Sequence, residues 1–186
     1  MKRAFDFVLA LWLLLCASIP MLFVALLVKL TSKGPVLYWS DRVGINNQVF
    51  SMPKFRSMKI DTPAVATHLL PDPKSVLTPI GDFLRKSSLD ELPQLWSVLK
   101  GDMSFVGPRP ALFNQKDLIT LRTEKGVHLL PVGLTGWAQV NGRDELPISE
   151  KVDLDVEYLC RQSFPFDIYI LWLTFIKVVR RDGVSH

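Results

Sequence analysis

Residues 88–110 read S-L-D-E-L-P-Q-L-W-S-V-L-K-G-D-M-S-F-V-G-P-R-P. Two adjacent carboxylates, Asp90 and Glu91, stand just before Pro93, and Arg109 stands between two prolines. The apolar run 92–100 predicts a helix that Gly101 ends in the usual C-terminal position. Ser88-x-x-Glu91 matches a capping box, in which Glu91 only caps. Placing Pro93 at the first helical position fits the proline better, since it has no donor to give. In both arrangements Asp90 and Glu91 lie at a helix N-terminus, where partial positive charge keeps a carboxylate ionised and favours phosphate. Such a carboxylate, beside bound phosphate and a divalent cation, can attack phosphorus. The Pro108–Arg109–Pro110 sandwich suits a stiff, two-point grip on phosphate. Arg85 stands five residues before Asp90, and Lys54, Arg56 and Arg143 are either further phosphate ligands or surface charges.

Outward from this block, residues 79–86 predict a short helix with Ile80, Phe83 and Leu84 on one face. Residues 36–39 and 48–52 read as strands paired across the G-I-N-N turn at 44–47. Residues 31–35 are a turn by composition, and 61–78, with prolines at 63, 71 and 73, read as a loop. The sequence predicts a helix over 111–125, a glycine-rich structured loop over 132–143 and an amphipathic helix over 149–162. Residues 166–179 are apolar on nearly every side and suit a core helix or one lying at a membrane interface.

Residues 7–28 carry no charge over 22 positions, long enough to cross a bilayer. Lys2 and Arg3 precede them, and Lys29 and Lys33 follow. A cleaved signal peptide is a poor match, because the run is too long and no small-x-small site follows. Hydropathy alone suggests a single spanning anchor. Pro20 instead argues for a break, with the Ser18 hydroxyl available to a backbone carbonyl there. Basic residues at both ends give no orientation, which suits a helix that enters and leaves on one side.

The chain has 186 residues, 48% of them hydrophobic, with a formal net charge of +4. That is room for one domain with a core plus an appendage. The basic balance, with a pI near 9.1, suits phosphorylated substrates or an anionic membrane surface. Cys16 and Cys160 read as free thiols of a reducing compartment. His68, His128 and His186 are scattered, which argues against zinc. No aromatic-basic ladder points to nucleic acid.

Taken together, the motifs closely resemble those of the small monotopic phosphoglycosyl transferases, the bacterial sugar transferase family. The markers are K-L-T-S-K-G-P-V at 29–36, R-V-G at 42–44, K-F-R-S-M at 54–58 and F-L-R-K-S-S-L-D-E-L-P-Q-L-W at 83–96. K-G-D-M-S-F-V-G-P-R-P at 100–110, G-L-T-G-W-A-Q-V-N-G-R at 133–143 and R-R-D-G-V-S at 180–185 complete the set. The resemblance implies an α+β, mainly helical fold. Residues 1–30 would form a re-entrant membrane helix broken at Ser18–Pro20. Residues 31–186 would form a compact cytosolic catalytic domain with short strands and amphipathic interfacial helices. It implies transfer of a sugar-1-phosphate from a UDP-sugar to polyprenol phosphate at the bacterial inner membrane, releasing UMP. Asp90 would attack the β-phosphorus, and Glu91 would assist with Mg²⁺, so both are the expected metal ligands. Lys54, Arg85, Arg109 and Arg143 are the expected substrate-binding residues. The expected partners are the two substrates and the phospholipid membrane, not nucleic acid; homo-oligomerisation, the sugar and the glycan pathway stay open. Two departures from the family pattern stand out: Ile19 separates Ser18 from Pro20, and Pro131–Val132 replace the usual basic residue and proline before G-L-T-G. The chain resembles the minimal form, without an extra membrane bundle. A different class of reading is a non-catalytic membrane scaffold, against which the intact Asp90–Glu91 pair argues.

Overall fold

A computed structural model describes residues 2–63, 65, 72, 74–142 and 146–180. The apolar N-terminal run forms one helix, α1 (Lys2–Thr31), with Pro20 inside it. Helical structure is uninterrupted at Ser18–Pro20. The Ser18 hydroxyl donates to the Leu15 carbonyl at 2.8 Å, one residue before the Cys16 carbonyl that proline leaves without an i+4 donor. The helix also starts earlier than its uncharged run and takes in Asp6, which is buried.

Alternation of inward and outward side chains explains how α1 sits. Ala10, Val24 and Val28 are buried, and Leu9, Leu13, Leu14, Met21 and Ala25 pack partly buried beside them. These positions recur every three or four residues, one stripe of a 3.6-residue helix. The opposite stripe, Leu11, Leu15, Ile19, Leu22, Leu26 and Leu30, is exposed.

Two strands follow, β1 (Leu37–Val43) and β2 (Val49–Phe55), an antiparallel hairpin in register from Leu37 opposite Phe55 to Val43 opposite Val49. Asn46 and Asn47 take positive φ in the turn, the residue type that tolerates it best after glycine. Helix α2 (Gly81–Lys86) leads to a 3-10 helix, Leu89–Gln94, which runs into α3 (Leu95–Lys100). Gly101 ends α3 at φ +101°, as its position in the sequence predicts.

Strand β3 (Ser104–Val106) pairs in parallel with β5 (Gly133–Thr135), and β4 (Ala111–Leu112) adds to the free side of β1. These three strands were not legible. Residues 111–112 are strand rather than the start of a helix, and α4 begins at Lys116 (Lys116–Glu124). The glycine-rich segment is β5 followed by α5 (Trp137–Asn141) rather than a loop. Helices α6 (Ile148–Arg161) and α7 (Phe164–Arg180) close the described chain. Alpha-7 turns Phe164, Ile168, Trp172 and Phe175 outward and buries Phe166 and Ile170.

The main core joins α1, α3, β3, α6 and α7 through Ala10, Val98, Phe105, Tyr158 and Ile170. A second cluster packs Val24 and Val28 against Phe55 of β2 and Leu84 of α2. Residues 89–106 and both halves of α1 therefore share their packing.

Candidate active site

Asp90 and Glu91 occupy the first turn of the 3-10 helix. Ser88 precedes them at φ +56° and makes no side-chain cap bond, so the capping-box reading of Glu91 is set aside. Pro93 lies inside this helix rather than opening an α-helix. At this fifth position the proline has no N–H to give, so the Asp90 carbonyl lacks its i+3 donor. The left-handed kink at Ser88 turns the chain away from α2 and presents the two carboxylates to β2.

Glu91 is gripped from two directions. Lys54 Nζ, from β2, lies 2.8 Å from Glu91 Oε1, and Arg109 Nη2 lies 3.2 Å from the same oxygen. Lys54 reaches across because β2 lies against the 3-10 helix. Arg109 comes from the rigid G-P-R-P turn after β3. Asp90 is only 7% exposed. Burial pushes its carboxyl up from 3.8 to about 6, and the Glu91 charge adds to the rise; Lys54, Arg85 and Arg109 oppose it. Four of the expected site residues thus act on Asp90 electrostatically. Arg143 lies outside the described residues.

The Arg109 turn is held from behind by residues that the sequence did not single out. Arg122 of α4 donates from Nη1 to the Arg109 carbonyl at 2.7 Å, and from Nε and Nη2 to Asp155 Oδ2 at 2.9 and 2.7 Å. Arg122 and Asp155 are buried, and burial raises the Asp155 carboxyl while Arg122 holds it down. One signal was available: Asp155 lies on the buried stripe of α6, between Val152 and Tyr158. An acid on an apolar stripe requires a partner.

Glycine packing fixes the turn from its other side. A Cβ on Gly107 would stand 2.1 Å from the Pro131 carbonyl oxygen, and one on Gly136 would stand 2.1 Å from the Gly107 oxygen. The G-P-R-P and G-L-T-G motifs are therefore two halves of one close backbone contact. Gln94, one turn beyond Asp90, is buried with its amide nitrogen lacking a hydrogen-bond partner.

Basic residues at the start of α1 are tied to the same scaffold. Lys2 Nζ contacts Asp167 Oδ2 at 2.5 Å and the Val106 carbonyl at 3.0 Å. Arg3 donates to the Val98 and Leu99 carbonyls at the end of α3. Asp6 accepts from Ser104 Oγ at 2.8 Å and from the Phe105 amide at 3.2 Å. The flanking charges thus dock the helix as well as flank it.

The family model for bacterial sugar transferases matches residues 1–181. The chain belongs to the bacterial sugar transferase family. Within it, this sugar transferase is 43% identical to the uncharacterized sugar transferase EpsL of Bacillus subtilis, over 100% of this chain and 90% of that protein. It is 42% identical to the UDP-glucose:undecaprenyl-phosphate glucose-1-phosphate transferase of Escherichia coli, over 95% of this chain and 40% of that protein. It is 37% identical to the undecaprenyl-phosphate galactose phosphotransferase of Salmonella typhimurium, over 98% of this chain and 41% of that protein. The transferase thus spans nearly all of the first relative and about two-fifths of the other two.

Proposed function

We propose that this sugar transferase moves a sugar-1-phosphate from a UDP-sugar to polyprenol (undecaprenyl) phosphate through a covalent phosphosugar on Asp90. The observation that carries this reading is the convergence of Lys54 and Arg109 on Glu91 beside a buried Asp90. Two cations stand where an approaching diphosphate needs its charge offset. In the first step an Asp90 oxygen attacks the β-phosphorus, the bond to UMP breaks, and UMP leaves with the electron pair. In the second, a polyprenol phosphate oxygen attacks the same phosphorus and Asp90 leaves as carboxylate. With its carboxyl at about 6, Asp90 is mostly ionised at pH 7, yet poorly solvated and so reactive. The names of the Escherichia coli and Salmonella relatives pair undecaprenyl phosphate with different sugars, so no sugar is carried over. The product would begin assembly of a membrane glycoconjugate: O-antigen, capsule, exopolysaccharide or glycoprotein glycan.

Mg²⁺ is the proposed cofactor. Among the described residues no group of three or more His, Cys, Asp or Glu could hold a metal. Adjacent Asp90 and Glu91 fit an ion that typically takes one or two carboxylates plus substrate phosphates. When bound it would neutralise diphosphate charge. Arg85 and Arg109 would bind the phosphates.

The seat we propose is the cytoplasmic face of the bacterial inner membrane, with α1 re-entrant. Support comes from the docking of both ends of α1 on one domain, and from the exposed apolar stripes of α1 and α7. A spanning helix would leave one end on the far side.

The test is UMP release by purified protein with Mg²⁺, polyprenol phosphate and a panel of UDP-sugars. Release with one sugar, with an adduct trapped on Asp90, is expected; no release with any sugar favours the scaffold reading. For topology, a cysteine near residue 2, in a background lacking Cys16 and Cys160, should resist an impermeant maleimide in intact cells. Labelling from outside would mean that α1 spans.

A further inference from the structure

Where α1 ends, a pocket of roughly 330 Å³ opens among Ser32, Lys33, Arg56, Lys59, Asp61 and Thr78. Arg56 is 5% exposed. Its Nε donates to the Pro35 carbonyl at 2.7 Å, and its Nη2 to the Ser32 carbonyl and hydroxyl at 3.1 and 2.8 Å. Among the described residues no hydrogen bond from Nη1 is found, and Nη1 is not one of the buried unpartnered atoms, so this amino group is open to a ligand on the pocket side. Lys59 donates to the Ser75 carbonyl at 2.8 Å and Lys33 is exposed. Among the described residues three cations thus face one carboxylate, Asp61. A guanidinium fork matches phosphate geometry, and charge-assisted bonds to it are the strong ones. A water takes about 30 Å³ of liquid, so a phosphate ester fits easily.

We infer that this pocket is an anion site for the phosphate headgroup of a lipid, separate from the Asp90–Glu91 pair. Arg56 continues the hairpin ladder, its backbone N–H donating to the Val36 carbonyl at 2.9 Å. It stands two residues beyond Lys54, about 7 Å along the strand, and Lys54 and Arg109, which pair with Glu91, do not line the pocket. The lipid source follows from position. Ser32 and Lys33 come directly after the last turn of α1, where Leu26 and Leu30 are exposed. A chain lying along those leucines brings its phosphate to the pocket. Only this lipid source rests on the membrane seating proposed above.

The test is cosedimentation of the full chain with phosphatidylcholine vesicles, with and without phosphatidic acid. Phosphatidic acid should tighten binding. Lys33→Gln should lose about fivefold of that gain, the usual worth of one basic residue at an anionic surface. Lys29→Gln, one turn earlier on α1 and outside the pocket, should lose far less. Arg56→Lys should lose the gain while keeping the charge, with its Tm followed because Arg56 also holds Ser32 and Pro35. Equal losses at Lys29 and Lys33, or no gain from phosphatidic acid, would overturn the site. If millimolar inorganic phosphate abolishes the gain, the pocket takes soluble phosphate and the lipid assignment fails. Binding to pure phosphatidylcholine reads the membrane seating alone, and UMP release reads the transferase, so each can fail separately.

Discussion

Two charge clusters lie back to back on either side of Arg109, and they are built oppositely. Asp155 takes two nitrogens of Arg122 where the side chains are 2% and 8% exposed. Glu91 takes Lys54 and Arg109 where the side chains are 16–29% exposed. The sealed pair also turns a donor, Arg122 Nη1, to the Arg109 carbonyl. The open cluster offers cations that a ligand can reach. One guanidinium sets a backbone, and that backbone aims another guanidinium. An ion pair is a fixture when desolvated on all sides and a binding element when one side stays wet.

The sharpest break of this contrast is Asp90→Asn. Turnover should fall at least ~10³-fold, about 4 kcal/mol of barrier, with no trapped phosphosugar adduct. Near-normal UMP release would end the covalent mechanism. Arg122→Met attacks the sealed side and leaves Asp155 buried alone. Stability should drop by about 3 kcal/mol or more, read by denaturant titration. A silent Arg122→Met would mean that the pair is not the fixture described.

Asp90 also links the two halves through stability. Its carboxyl lies raised at about 6 because of burial, so the folded protein holds this proton more tightly than the unfolded chain. The stability it contributes is full below about pH 4 and is lost as pH rises through about 6. In chelator at pH 8, Asp90→Asn should therefore be more stable than the parent by about 2–3 kcal/mol, with the gap closing toward pH 4. A variant less stable at pH 8 would contradict the buried setting.

Arg109→Lys keeps charge but loses the planar fork. Turnover should fall about tenfold, roughly 1.4 kcal/mol, with little change in Tm. If it is silent while Arg85→Lys is crippling, the phosphate grip belongs to Arg85. The smallest effect belongs to an exposed pair, Lys86–Asp82 at 2.7 Å. Lys86→Gln should change stability by less than about 0.5 kcal/mol.

Legibility followed the range of the interaction. The hairpin, the Gly101 stop and the α6 stripe are written in neighbouring residues, and so are Asp90, Glu91 and Arg109. Strands β3, β4 and β5 span two or three residues and are buried or nearly so on both sides, too short to display a period of two. The partners of Arg122 and Lys2 lie 33 and 165 positions away, so no local window contains them. Ser88 misled because its side chain fits a cap, whereas its backbone takes the left-handed region.

The distance from Lys2 to Asp167 also sets an order of events during synthesis. Chains grow at about 5–20 residues per second, so Asp167 is added roughly 7 to 27 seconds after Thr31 completes α1. Over that interval Lys2 has no Asp167, and Asp6 waits for Ser104 and Phe105. Val24 and Val28 meet partners made much sooner, Phe55 and Leu84. The C-terminal half of α1 can therefore seat early, while its N-terminal half is made first and seated last.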